Sequence, residues 1–139
     1  MFSGQNKWFE KYCRSKEIFI AVSKSTDKPV GMIGLYSIDH INRKAEIGST
    51  IVGDRSLWGK GIATEMIRLL LKYAFEDLAI NRIYAYAIDY NIASISVKQK
   101  CGFQLEGVLH QDHYSNGQFY DVNLLAITRS QWNNSLSNP

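Results

Sequence analysis

"WGKGIAT", Trp58 to Thr64, sets two glycines and a lysine directly ahead of a long amphipathic run, and the reading of this stretch decides the fold. Glycine adopts left-handed backbone conformations at little cost and lets main chain approach a ligand closely. A helix start presents N–H groups with no partner inside the helix, and with them a partial positive charge. Glycines between a strand and a helix therefore describe an anion site. Gly59, Lys60, Gly61, Ile62, Ala63 and Thr64 would supply amides, and Arg55, Lys60 and Arg68 would supply charge.

Downstream of the loop, Ile62, Met66, Leu69, Leu70, Tyr73, Ala74 and Leu78 recur at i, i+3, i+4 spacing, which predicts one helix from Ile62 to Leu78. "NRIYAYAID" then reads as a buried strand, and "NIASISVKQKCGF" as a short helix stopped by Gly102. Asn116-Gly117 is a two-residue hairpin signal between two alternating runs that end the chain. Upstream, "EIFIAVS" and "PVGMIGLYSI" flank the polar turn "KSTDKP" and predict an antiparallel hairpin, with "AEIGSTIV" as a third strand. Trp8, Phe9 and Tyr12 at helical spacing predict a helix over 5–15. The order describes an α/β domain with one mixed sheet.

At 139 residues the chain is one domain. It has no apolar run of the ~18 to 20 residues that a bilayer span needs, so no membrane partner is expected and the cytoplasm is the default location. A net charge of +3 with scattered basic residues gives no argument for nucleic acid, while an anionic small ligand is compatible with it. Cys13 and Cys101 have neither metal spacing nor a disulfide framework and read as plain thiols.

Three readings of the glycine loop compete with a diphosphate held by successive amides without metal. A Walker A loop fails, because the spacing from Gly53 to Gly59 is wrong and no hydroxyl follows Lys60. A dinucleotide fingerprint lacks its third glycine at Thr64, and no acidic residue closes a strand about 20 positions on. A bare turn ahead of a helix stays open for the motif taken alone.

"GKGIAT" with its helix, the strand after it and "NIASISVKQKCGF" together resemble the acetyl-CoA signature of the GNAT N-acetyltransferase superfamily. "IDHINRKAEIG" and "LEGVLHQDHYSNGQFYDVNLLAITR" narrow the resemblance to the RimJ/RimL branch, the ribosomal-protein N-terminal acetyltransferase type, over Trp8 to Trp132. The resemblance implies a mixed, mostly antiparallel sheet flanked by helices. It also implies that the chain is N-terminally truncated, since the family ordinarily has a strand and helix ahead of that span. Trp58 departs from the Gln or Arg that many members carry at the head of the loop.

By that resemblance acetyl-CoA is the co-substrate, with its pyrophosphate on the loop. Asn91, Ser94 and Lys98 would lie along the pantetheine and thioester, and a main-chain N–H near Ile51 or Val52 would face the thioester carbonyl. The thiolate is protonated in many members by a Tyr where this chain has Lys98, and in RimL-like members by a Ser matching Ser94. His113 stands where the branch has a Glu base, and Glu46 is a second, water-linked candidate. Ser94 also reads as an ordinary first-turn serine, and His113 as an exposed hairpin residue.

A two-residue turn at Asn116-Gly117 pairs Ser115 with Gln118, Tyr114 with Phe119, His113 with Tyr120 and Asp112 with Asp121. Facing carboxylates ask for a cation, so Asp112, Tyr114 and Asp121 are candidate contacts for an ammonium-bearing acceptor, unless a bulge or a cation from elsewhere relieves the pair. The acceptor could be a protein N-terminus, which the branch favours, a polyamine or an amino sugar. No metal is expected. An uncovered sheet edge would admit a second copy, so a homodimer is an expectation. A CoA-binding module without catalysis is the alternative function.

Overall fold

The computed structural model describes residues 16–137; the helix predicted over 5–15 and Cys13 lie outside them. Among the described residues six strands form one sheet. β1 (Glu17–Val22), β2 (Pro29–Asp39) and β3 (Lys44–Val52) run as an antiparallel meander and are followed by helix α1 (Ile62–Lys72). Then come β4 (Arg82–Ile88), helix α2 (Ile92–Lys100), the hairpin β5 (Gln104–Ser115) and β6 (Gln118–Thr128), and helix α3 (Arg129–Ser137). The sheet order is β1-β2-β3-β4-β6-β5, and β3/β4 is its one parallel pair. This is the mixed, mostly antiparallel sheet expected from the sequence.

The core lies between the sheet and α1. Ile33, Leu35, Ala45, Ile47, Ile83, Leu125 and Ile127 meet Met66, Ile67, Leu70 and Leu71. The helix differs from expectation in two ways. Leu69 is 63% exposed, while Ile67, Leu71 and Phe75 face inward, so the buried stripe is centred one position along from the predicted one. Past Lys72 the helix widens into a π-turn, Tyr73–Asp77, which buries Ala74 and Phe75. Tyr73 uses this turn to donate from its hydroxyl to Glu17 Oε2 at 2.9 Å, tying α1 to the first strand.

Helix α3 lies beyond the elements expected from the sequence, and its start has a local signal. Thr128 Oγ1 accepts from Gln131 N, and Gln131 Oε1 accepts from Thr128 N, a reciprocal capping box. Trp132 then packs on Phe75 with ring centroids 5.3 Å apart.

The hairpin register is as expected for Ser115/Gln118, Tyr114/Phe119 and His113/Tyr120. The Asp112/Asp121 pair does not form. Gln111 takes a left-handed conformation, φ 54°, and the register shifts between Leu109 and His113. Asp121 instead accepts from Gln111 N at 2.8 Å and lies 3.5 Å from His110 Nδ1. The bulge removes the repulsion that would have required an outside cation.

The feature that positions the site is the short reach of the β3/β4 ladder. It covers Lys44/Arg82, Ala45/Ile83 and Glu46/Tyr84 and goes no further, although β3 continues to Val52 and β4 to Ile88. The far half of β3 is held from the other side by β2, through Gly31/Val52 and Met32/Ile51. A Cβ on Gly31 would stand 2.5 Å from the Ile51 carbonyl oxygen and 3.1 Å from Met66 Sδ. Gly31→Ala is therefore expected to destabilise the fold by about 1–3 kcal/mol, read as a lower denaturant midpoint at unchanged slope.

Candidate functional site

Where β3 and β4 part, a cleft of about 650 Å³ opens. That volume is in the range of small-molecule sites. Its walls are the end of β3 (Thr50, Ile51, Val52), the loop and helix start from Leu57 to Gly59 and from Gly61 to Thr64, and α2 with its cap Asn91, Ser94 and Lys98.

The loop is built by local hydrogen bonds. Asp54 accepts from Ser56 N at 2.9 Å and from Ser56 Oγ at 2.7 Å, which holds its carboxyl below the usual carboxylate range and starts a 3-10 turn over Arg55–Leu57. Trp58 then donates from Nε1 to the Val52 carbonyl at 2.9 Å, and the Arg55 guanidinium lies 5.6 Å from its ring centroid. Trp58 therefore clamps the loop to the strand it follows. A Gln or Arg at this position would not provide that flat, half-exposed cover.

Gly59 and Gly61 have φ of 78° and 81°, and a Cβ at either would meet nothing within 4 Å. Backbone conformation, not space, requires glycine there. Gly61 is the N-cap of α1, and the first intrahelical bond runs from Glu65 N to Gly61 O. The N–H groups of Ile62, Ala63 and Thr64 precede that bond, and all three residues border the cleft. The Lys60 side chain is not part of the lining, whereas Gly59 and Gly61 on either side of it are.

Across the cleft, α2 is capped by Asn91, whose Oδ1 accepts from Ser94 N at 3.2 Å. One turn on, Lys98 Nζ donates to Ser94 Oγ at 2.7 Å. Lys98 is buried, and burial lowers its pKa from the ordinary lysine value. Cys101, at the helix end, is a buried free thiol pushed up by burial.

Residues 3–104 match the family described as the acetyltransferase (GNAT) domain. The chain belongs to the GNAT family. A putative ribosomal N-acetyltransferase of Bacillus subtilis, YdaF, is 39% identical over 73% of this chain; the chain spans 55% of that relative's length. Among solved structures, a mutant of the spermidine N-acetyltransferase SpeG from Vibrio cholerae superposes with a TM-score of 0.83 at 27% identity, over 91% of this chain and 73% of that one. The Vibrio cholerae enzyme in complex with CoA and spermine superposes with a TM-score of 0.78 at 28% identity, over 85% and 68% of the two chains.

In this GNAT chain the remaining candidates stand apart from the cleft walls. Glu46 forms the last rung before the strands part, between Tyr36 on β2 and Tyr84 on β4, and partial burial raises its pKa. His113 lies half-buried opposite Tyr120, whose ring meets Tyr90 edge-on at 4.8 Å, next in sequence to the Asn91 cap. Asp112 and Tyr114 are exposed on β5, and Asp121 is held by the bulge. Among the described residues no three His, Cys, Asp or Glu side chains gather in a way that could hold a metal ion, and no helix is long and apolar enough to cross a membrane.

The cleft fits a thioester carrier with a diphosphate. Its lining includes Thr50, whose buried Oγ1 has no hydrogen-bond partner among the described residues, together with two left-handed glycines at a helix start. Gly61→Ala is expected to cost about 1–2 kcal/mol of stability through its positive φ, with weaker CoA binding by calorimetry. Trp58→Phe keeps the ring but removes the bond to Val52, and CoA affinity is expected to fall by several-fold, equivalent to about 0.5–1.5 kcal/mol.

Proposed function

We propose that this chain transfers an acetyl group from acetyl-CoA to a primary amine by direct attack, without an enzyme-bound acyl intermediate. The observation that carries this reading is a single cleft with a glycine-turned helix start on one wall, a capped second helix on the other and an unpaired strand edge between them.

Acetyl-CoA, when bound, supplies the acetyl group as an activated thioester. The amides from Gly59 to Thr64 hold the diphosphate. Asn91, Ser94 and Lys98 border the other arm of the carrier, and a main-chain N–H at Ile51 or Val52, on the side of β3 that β4 has left, stabilises the developing oxyanion. Cys101 takes no part, because burial keeps it a neutral thiol at the helix end.

Two groups compete to remove the amine proton through water. Glu46 is favoured, since it stands at the fork of β3 and β4 and its raised pKa makes it a better base than an ordinary carboxylate. His113 pairs with Tyr120, whose ring meets Tyr90 beside the Asn91 cap.

The likeness to YdaF supports a peptide or protein N-terminus as acceptor. The likeness to the spermidine enzymes supports a polyamine, and it extends over more of the chain. Both acceptors present a primary amine, so the chemistry at the fork is the same. A cytoplasmic setting and a homodimer belong to this reading as well, the latter because β1 and β5 are the outer strands of the described sheet.

Thiol release measured over a panel of N-terminal peptides, spermidine and amino sugars tests the reading. Acetyl-CoA binding without release to any amine would favour a CoA-binding module instead. Ser94→Ala is expected to lower kcat about 10-fold or more with little change in acetyl-CoA KM. Glu46→Gln separates catalysis from stability. A carboxyl whose folded pKa is raised contributes stability that is present below its unfolded value of 4.5 and is lost as pH rises through the folded value. At pH 7, therefore, Glu46→Gln should melt at or above the wild-type temperature while losing kcat and the acidic limb of the pH profile; retention of that limb would pass the role to His113.

A further inference from the structure

Lys98 is an expensive residue to bury. It is 6% exposed, and an ammonium out of water needs a partner that repays its lost hydration. Among the described residues no carboxylate supplies one. The titratable groups around it are Cys101 on its own helix, Lys100 on the same cleft wall, and Arg68 on α1, which acts on Cys101. Its partner is a neutral hydroxyl, Ser94 Oγ, at 2.7 Å.

The i, i+4 spacing stacks the two side chains on one helix face, and both residues line the cleft. Because Nζ is the donor, Ser94 Oγ uses a lone pair on Lys98 and keeps its own O–H for a third group. An O–H that is polarised by an ammonium and borders a cleft is an acid in waiting. The desolvation that lowers Lys98 also brings it nearer to a thiol, so that proton transfer toward sulfur is less uphill.

We propose that Lys98 drives protonation of the leaving sulfur through Ser94, a proton relay from Nζ to Oγ to the thiolate. The inference rests on the acetyl-transfer reading and goes beyond it by naming the source of the proton. As the acceptor nitrogen bonds to the acyl carbon, the C–S bond breaks and its electron pair leaves on sulfur. Sulfur takes the Ser94 hydroxyl proton, and Ser94 takes one from the Lys98 ammonium. Neutral Lys98 is then reprotonated by solvent, while the proton lost by the acceptor nitrogen leaves through the base. Lys98 acts through Ser94 and is a positioning residue in this scheme, where Ser94 touches the reacting atom.

The test compares the full chain as wild type, Lys98→Met, Lys98→Arg and Ser94→Ala, with two readouts. One is kcat across pH at saturating amine. The other, independent of turnover, is the ultraviolet absorbance of thiolate as bound CoA is titrated. In Lys98→Met, kcat is expected to fall about 100-fold while acetyl-CoA KM stays within about threefold. The wild-type kcat should decline on the alkaline side below the ordinary lysine range, and Lys98→Arg should move that limb upward. The thiol of bound CoA should titrate below free CoA in wild type and lose that depression in Lys98→Met.

A Lys98→Met variant with kcat within about threefold of wild type, or a bound thiol that titrates alike in both, would overturn the relay. Should Lys98→Met fail to fold, an alkaline limb unmoved in Lys98→Arg would do the same. Wild type that binds CoA yet acetylates no amine would sink the acetyl-transfer reading and the relay with it, whereas an active enzyme indifferent to Lys98 would sink the relay alone.

Discussion

The early end of the β3/β4 ladder is the constraint on which the rest depends. A parallel pair that ran its full length would close the sheet and leave nowhere for a ligand. Stopping at Glu46/Tyr84 leaves the last part of β3 with one edge satisfied by β2 and the other open to the cleft. Main-chain groups on such an edge require a partner, from water or ligand, when they are covered. The close fit of Gly31 under the Ile51 carbonyl keeps β3 on the β2 side of the fork.

The two helices that face this opening are terminated with different chemistry. The start of α1 relies on a left-handed glycine and leaves its amides outward, while the start of α2 spends its Asn91 side chain on its own Ser94 amide. The first end is left open to an anion, and the second is self-sufficient and rigid. A rigid α2 holds Ser94 and Lys98 in one fixed relation on the same wall. Division of labour between the walls follows from these caps more than from any single charged residue, and the Lys60 side chain outside the lining illustrates the point.

Much of the fold was legible in the sequence because its signals are local. The Asn116-Gly117 turn set the register of its three nearest pairs, and the periodicity after Gly61 gave the long helix. What was not legible depends on contacts distant in sequence or on conformations outside the usual regions. Gln111 in a left-handed bulge cancels the Asp112/Asp121 pairing that simple alternation requires. The inward face of α1 is centred on Ile67 and Leu71 rather than on Leu69, and the π-turn at Tyr73–Asp77 widens the helix after it. For the site, the glycine loop and Asn91 were readable from residue type, whereas the function of Trp58 waits on a carbonyl six residues back, and the burial of Lys98 waits on the packing of the whole wall. The capping box at Thr128 is a local signal, but only Trp132 and the exposed Leu136 follow it where an apolar stripe would normally mark a helix.

Trp58 and Trp132 also divide the described chain into two optical reporters. Trp58 is 59% exposed at the mouth of the cleft with a cation above its ring, and Trp132 is 8% exposed against Phe75. The first indole stands where a ligand on the loop would change its surroundings, and the second where loss of packing between the last helix and the core would expose it. Among the described residues, occupancy and integrity thus fall to separate indoles, one set by a clamp and the other by a cap.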